Sequence, residues 1–188
     1  MRSVVWRVGA ACAVVAVALT LGGCVPEEPD RTPAPDPTST PLFASDEEAL
    51  AAAEEAYGRY QAVEDEIFAA GGVGSERIRE VAVRDALEAA QLGFDELLAN
   101  GYKGLGRTKF DSFELQQYSP DAVIEDSVVA YVCLDFSEAD LVDQANNSIV
   151  NPNRLVRQPF QVSFDTRLTT KDLILASRDP WAGLEACQ

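Results

Sequence analysis

The chain contains no histidine. This removes the commonest partner of a catalytic thiol and the usual proton shuttle of an active site. Basic residues are also few, with 15 Lys and Arg against 31 Asp and Glu and a net charge of −16. A field of that sign repels polyphosphates and anionic lipid heads, which argues against nucleic-acid binding and leaves no electrostatic route to a membrane surface. Long apolar runs are scarce too: the stretch from Val8 to Leu21 is uncharged but too short to read as a membrane span. The acidic and amide residues Asp140, Asp143, Asn146 and Asn147 lack the D-x-[DN]-x-[DN]-G order and the glycine of a calcium loop. No metal or cofactor is therefore expected, and turn chemistry accounts for that segment.

What is present begins with an address. Arg2 and Arg7 precede the apolar run, and Leu21-Gly22-Gly23-Cys24 closes it. Positive start, short apolar core and small residues make an export signal over 1–23. The tetrapeptide resembles the lipobox of bacterial lipoproteins, in which the cysteine thiol receives a diacylglyceryl group and the chain is cut just before it. That resemblance implies lipid attachment at Cys24 and anchoring to the outer face of the cell membrane, the alternative being an ordinary secretory signal or a short single-span anchor. Residues 24–43 follow as a Pro-rich acidic tether, with prolines at 26, 29, 33, 35, 37 and 41. About 16 residues in extended polyproline geometry, at ~3.1 Å each, reach ~50 Å from the membrane.

Residues 44–188 are left for one domain, a size that buries a proper core. Removing Arg2 and Arg7 leaves 13 basic and 31 acidic residues, a net of −18 on the exported part. Of the four cysteines, Cys12 leaves with the signal and Cys24 is consumed by lipid. Cys133 and Cys187 then remain outside the reducing cytoplasm and read as a disulfide, with two free buried thiols as the alternative. Closing the 54 residues between them would stabilise the domain by roughly 4 kcal/mol in the chain-entropy model.

The first half of the domain is helical. Ser45 with Glu48 forms a capping box, and Leu50, Ala53, Tyr57, Tyr60, Val63 and Ile67 follow at helical steps until Gly71-Gly72. Glu54, Glu55, Asp65 and Glu66 lie largely off that stripe and read as a solvated face. A short helix begins at Ser75, and Asp85 is expected to cap a second long helix over 86–99, ended by Asn100-Gly101. The second half switches period. Thr108 to Tyr118 and Val123 to Phe136 form a hairpin about Ser119-Pro120-Asp121, with Val128, Ala130, Val132 and Leu134 on the interior face and Tyr131 and Cys133 opposite. The stretch from Ser137 to Arg157 is expected to be irregular. Phe160, Val162, Phe164, Thr166 and Leu168 alternate with polar residues as a strand, and a turn at 170–172 leads to a last strand from Leu173 to Ser177, closed by Asp179-Pro180-Trp181.

Helices first and long antiparallel strands afterwards give an α+β fold, N-terminal helices on a curved, cone-like antiparallel sheet of about four strands. This order, the closing strand pair, the terminal Asp-Pro-Trp, the cysteine pair and the run Tyr131-Val132-Cys133-Leu134-Asp135 resemble actinobacterial lipoproteins with a nuclear transport factor 2-like, cystatin-type cone. The resemblance implies a cone lined by apolar and aromatic groups, with Tyr57, Tyr60, Phe94, Tyr131, Phe164 and Trp181 as candidate pocket residues. Its partner would be a small hydrophobic ligand or another envelope protein. Related enzymes, ketosteroid isomerase and polyketide cyclases, use a carboxylate with a tyrosine or histidine inside the cone. No catalytic residue of this chain matches their motif, so a cyclase-like or isomerase-like enzyme would need a buried carboxylate beside Tyr57, Tyr60 or Tyr131. A structural envelope spacer, with the cone filled solid, is the third reading.

Overall fold

The computed structural model describes residues 41–120, 125–167, 169–182 and 187. The expected signal segment 1–23, Cys24 and the expected tether up to residue 40 lie outside the described residues, as do Val123 and Leu168. No helix among the described residues is long and apolar enough to cross a membrane.

Helix α1 spans Asp46–Ala69. Ser45 Oγ accepts the Glu48 N–H at 3.3 Å, satisfying one orphan donor of the first turn, and the Glu48 carboxylate accepts the Ala44 N–H just before the cap at 2.8 Å. The folded unit starts slightly before the expected boundary at 44. Leu42 and Phe43 already pack against the core, and Phe43 lies 5.7 Å from Tyr118 while donating its N–H to the Tyr118 hydroxyl. The buried stripe of α1 contains Ala49, Ala53, Ala56, Tyr57, Tyr60, Gln61, Glu64 and Ile67; Leu50 and Val63 are half-buried at its flanks.

A 3-10 turn over Ser75–Glu80 leads to helix α2, Arg84–Asn100. The expected cap at Asp85 is not used: the residue before the helix is Val83, which makes no side-chain cap. The helix entrance is fixed from outside instead. Val83 N–H donates to the Leu175 carbonyl, and Arg84, held at φ 48°, pairs with Asp165 at 3.0 Å and Asp126 at 3.2 Å. Gly101, at φ 67°, ends α2 as expected.

Six strands follow: β1 Lys103–Leu105, β2 Lys109–Tyr118, β3 Val128–Asp135, β4 Asp140–Val142, β5 Arg157–Thr166 and β6 Leu173–Pro180. The main sheet is antiparallel with the order β2-β3-β5-β6, and both helices pack on its inner face, an α+β fold. Central β3 alternates as its sequence predicts, Val128, Ala130, Val132 and Leu134 being fully buried toward the helices. The 81–83 segment is bonded to the outer edge of β6 through Leu175, which shields that edge.

Bulges decide which side chains point inward. On β2 the register jumps between Asp111 and Glu114 and again between Leu115 and Gln117. Phe110, Phe113, Leu115 and Tyr118 thus all turn inward, although strict alternation would put Phe110 and Phe113 on opposite faces. On β6 Ser163 pairs with Ser177 but Phe164 pairs with Leu175, leaving Ala176 as the extra residue. That slip places Arg178 opposite inward-facing Val162. Bulges of this kind also bend the strands that carry them.

A short ribbon missed by the sequence pattern pairs β1 with β4, the latter within the stretch 137–157 expected to be irregular. It lies against the C-terminal end of α1 because Gly104 has no side chain: a Cβ there would sit 2.9 Å from Cβ of Phe68. Gly106, at φ 73°, approaches the Glu138 carbonyl so closely that a Cβ would overlap it.

Candidate functional site

Three residues of α1, Tyr60, Gln61 and Glu64, and Arg178 of β6 build a polar knot in the interior. Tyr57, Tyr60, Glu64 and Ile67 follow steps of three, four and three, so Glu64 belongs to the buried stripe. Opposite it, the β6 bulge turns Arg178 inward, and its guanidinium grips the Glu64 carboxylate with both terminal nitrogens, at 2.7 and 2.9 Å. Tyr60 donates its hydroxyl to Glu64 at 2.7 Å and Gln61 donates its amide at 3.2 Å. The guanidinium carbon also lies 5.1 Å from the centre of the Tyr60 ring, a cation–π contact. Glu64 thus accepts four hydrogen bonds, the capacity of a carboxylate. It has no lone pair left to take a proton from a substrate.

The two phenols are equally unsuited to acid–base work. Burial pushes the Tyr57 hydroxyl up to about 12. Tyr60 is raised well above its ordinary value, first by burial and then by the Glu64 charge. Both stay protonated across the physiological range. The Tyr57 hydroxyl has no hydrogen-bond partner among the described residues.

On the Tyr57 side of this knot the interior is filled. Tyr57 meets the edge of Phe110 at 5.0 Å and Phe113 at 5.8 Å, and Phe113 meets Phe164 at 6.4 Å. Beyond Glu64 and Arg178 lies a pocket that reaches the surface, since Leu105, Gly106, Arg107 and Leu155 of its lining are exposed. A cavity of about 370 Å³ opens between the end of α1, the β1–β4 ribbon and the ends of β3, β5 and β6. Its apolar wall comes from Phe68, Leu134, Phe136, Leu141 and Phe160. Its polar members include Asp65, Arg107, Thr108, Asp140, Arg154 and Gln158 besides the Glu64–Arg178 pair. Arg154 is occupied structurally, since one terminal nitrogen bonds the carbonyls of Phe136, at 3.0 Å, and Ala139. Asp65 is half-buried and its carboxyl is raised by that burial, with the Gln61 amide acting against the shift.

None of the six candidate pocket residues is among those lining the cavity. Tyr57, Tyr60 and Phe164 belong to the filled side, and Phe94 packs edge-on against Phe68 at 5.5 Å. Tyr131 and Trp181 meet at 5.0 Å with their ring planes tilted by 42°, and β3 alternation puts Tyr131 on the sheet face away from the helices. Large aromatic rings on a buried stripe fill space, which is why they do not border it. Sequence reasoning passed over Glu64 and Arg178, which do border it. The signal for Glu64 was present, an acid at a stripe position; Arg178 gave none, because its inward direction depends on the bulge.

The outer sheet face carries the disulfide between Cys133 and Cys187, with Cα atoms 5.5 Å apart. Arg157 donates to the Cys187 carbonyl at 3.0 Å and makes a two-point pair with Asp111, so the chain end is tied to the central strands. Among the described residues no group of three or more His, Cys, Asp or Glu is arranged to hold a metal ion.

No protein-family profile matches the chain, and no curated protein does. Among solved structures it is similar to the intermembrane space region of the chloroplast protein ARC6, with a TM-score of 0.51 at 14% identity, over 71% of this chain and 97% of that one. At that identity the likeness is one of fold alone.

Proposed function

We propose that the chain is an exported lipoprotein, anchored through Cys24 to the outer face of the cell membrane, whose nuclear transport factor 2-like domain binds a small, largely apolar ligand without transforming it. The observation that carries this is the 370 Å³ cavity, which falls within the size range of small-molecule sites and is walled mainly by aliphatic and aromatic groups. The saturated Glu64 carboxylate and the protonated tyrosines favour binding over chemistry. The Cys133–Cys187 disulfide supports an oxidising compartment, as export requires. A filled interior would have favoured the spacer reading, and the cavity counts against it.

Two measurements test the reading. Metabolic acyl labelling should be lost in Cys24→Ser; label retained in that variant removes the anchor. Native mass spectrometry of the protein purified from its own host without detergent should show a bound small molecule, lost when Leu134→Trp fills the cavity. A bare polypeptide mass in every preparation would sink the ligand reading. Asp65, a raised carboxyl on the cavity wall, favours a second reading as an enzyme on the same cavity. That reading requires a turnover abolished by Asp65→Asn.

A further inference from the structure

The cavity combines an apolar floor with uncancelled charges of both signs nearer its mouth. Leu134, at 1% exposure, is the most buried of its lining residues, and Phe68, Phe136 and Phe160 stand half-buried around it. Glu64 and Arg178 also border the cavity, but they neutralise each other and the carboxylate is saturated. Arg154 is committed to backbone carbonyls. Three charged lining residues remain. Arg107, exposed at the mouth, makes no ion pair among the described residues, and neither do half-buried Asp65 and Asp140.

Asp65 and Arg107 are neighbours that do not touch. The Asp65 carboxyl is raised by burial, and the Gln61 amide, the Thr108 backbone and the Arg107 charge act against that shift. Asp140 faces Leu105 across the β1–β4 ribbon, and its Oδ1 accepts the Leu141 N–H at 2.7 Å and the Ser148 hydroxyl at 2.8 Å. Both carboxylates keep acceptor capacity to spare. A simple anion would meet Arg107 but also these two carboxylates and the field of a chain of net charge −16. A simple cation would meet the carboxylates but also Arg107, and a neutral molecule would partly dehydrate all three groups while compensating none. A ligand with opposite charges close together satisfies both signs at once. The volume, about 370 Å³, corresponds to roughly a dozen water-sized groups at ~30 Å³ each, the size of a large apolar amino acid.

From this arrangement we infer that the cavity binds a free α-amino acid with a large apolar side chain, the side chain directed inward to Leu134 and Phe160, the ammonium at Asp65 and the carboxylate at Arg107. The inference rests on the ligand-binding reading above and adds the class and the orientation of the ligand. Burial of the side chain supplies most of the affinity, and the two charges select for a dipolar ion. The Asp65 contact, half-buried, counts for more than the exposed Arg107 contact, which water and salt screen.

The test is equilibrium dialysis of the full-length protein, held in lipid nanodiscs so that no detergent competes, against L-leucine, L-phenylalanine and L-tryptophan. At least one should bind. The amide of the tightest-binding one, which lacks the anion, should bind about three- to fivefold more weakly, and its N-acetyl derivative, which lacks the cation, about tenfold or more. Arg107→Gln should weaken the amino acid and its N-acetyl derivative by about three- to fivefold without weakening the amide. Asp65→Asn should weaken the amino acid and its amide by about tenfold without weakening the N-acetyl derivative. Equal affinity for all three forms would show that neither charge is read and would overturn the inference. Arg107→Gln, at an exposed side chain outside the core, would overturn it too by weakening all three forms alike or none of them. Absence of binding by all three amino acids would overturn this inference alone if the copurified ligand is still found by native mass spectrometry, and both readings if it is not.

Discussion

The two sides of the interior share α1, β3, β5 and β6, but one is completed by rings of β2 and is packed, while the other is closed off by the β1–β4 ribbon and is open. On the packed side Tyr57, Phe113 and Phe164 interlock in the manner of an ordinary core. On the open side Phe68, Phe136 and Phe160 surround a space that they do not fill. The Glu64–Arg178 pair borders that space, with the Tyr60 ring against the guanidinium. The buried ion pair thus lies at the boundary between the packed and the open parts of the interior, with its hydrogen bonds supplied by α1 and β6.

The sharpest way to break this contrast is to remove one partner of the pair. Glu64→Leu leaves Arg178 buried and unpaired and should destabilise the domain by about 3–5 kcal/mol, read as a fall in the urea midpoint. The double replacement of Glu64 and Arg178 by leucine should recover most of that loss and should shrink the cavity. If the double variant is as unstable as the single one, the loss in the single one is not that of an unpaired charge.

Next in size is a matched truncation on either side. Phe164→Ala, on the packed side, should cost about 3–5 kcal/mol through lost burial and a new void. Phe160→Ala removes a half-buried ring that already borders empty space and should cost no more than about half as much. Equal losses in denaturant titrations would mean that the two sides pack alike.

A smaller effect comes from Tyr57→Phe. Its hydroxyl is buried without a partner, so deleting it should be neutral or should stabilise the fold by up to about 1 kcal/mol. A loss beyond about 1 kcal/mol would reveal a hydrogen bond to that oxygen.

The smallest effect is a pH dependence on the open side. Burial raises the Asp65 carboxyl in the folded state, so between its ordinary and its raised value the folded chain holds more protons than the unfolded one. Stability from this group is therefore present at low pH and is lost as pH rises through the raised value. Asp65→Asn should remove that loss. Its stability relative to the parent should increase as pH climbs above the ordinary carboxylate range and should level off beyond the raised value. A difference that does not change with pH would show that the carboxyl is not desolvated.

Much of the framework was legible because it depends on local chemistry. The Ser45–Glu48 cap, the stop at Gly101 and the alternation of β3 each follow from a few neighbouring residues, whereas on β5 the polar positions Ser163 and Asp165, expected to face water, are buried. The start of α2 was misread, since Asp85 has the composition of a cap while the contacts of Val83 and Arg84 come from β6 and from Asp126 and Asp165. The β1–β4 ribbon was invisible, because three residues per strand show no period and each half contacts a partner far away in the chain. Aromatic residues were sought as pocket lining and became core, whereas the lining includes a carboxylate on a helix stripe and an arginine on a strand end.

By itself the sequence determined the order of helices before strands, the face that each regular strand buries, and the availability of Cys133 and Cys187 to each other. The first two depend on residue types at short, fixed spacings, the third only on there being two cysteines within 44–188. Only the tertiary structure decided where the pocket opens. A single extra residue, Ala176, reverses the facing of the end of β6 and turns Arg178 onto Glu64, and a one-residue register slip leaves no mark in a composition or a period.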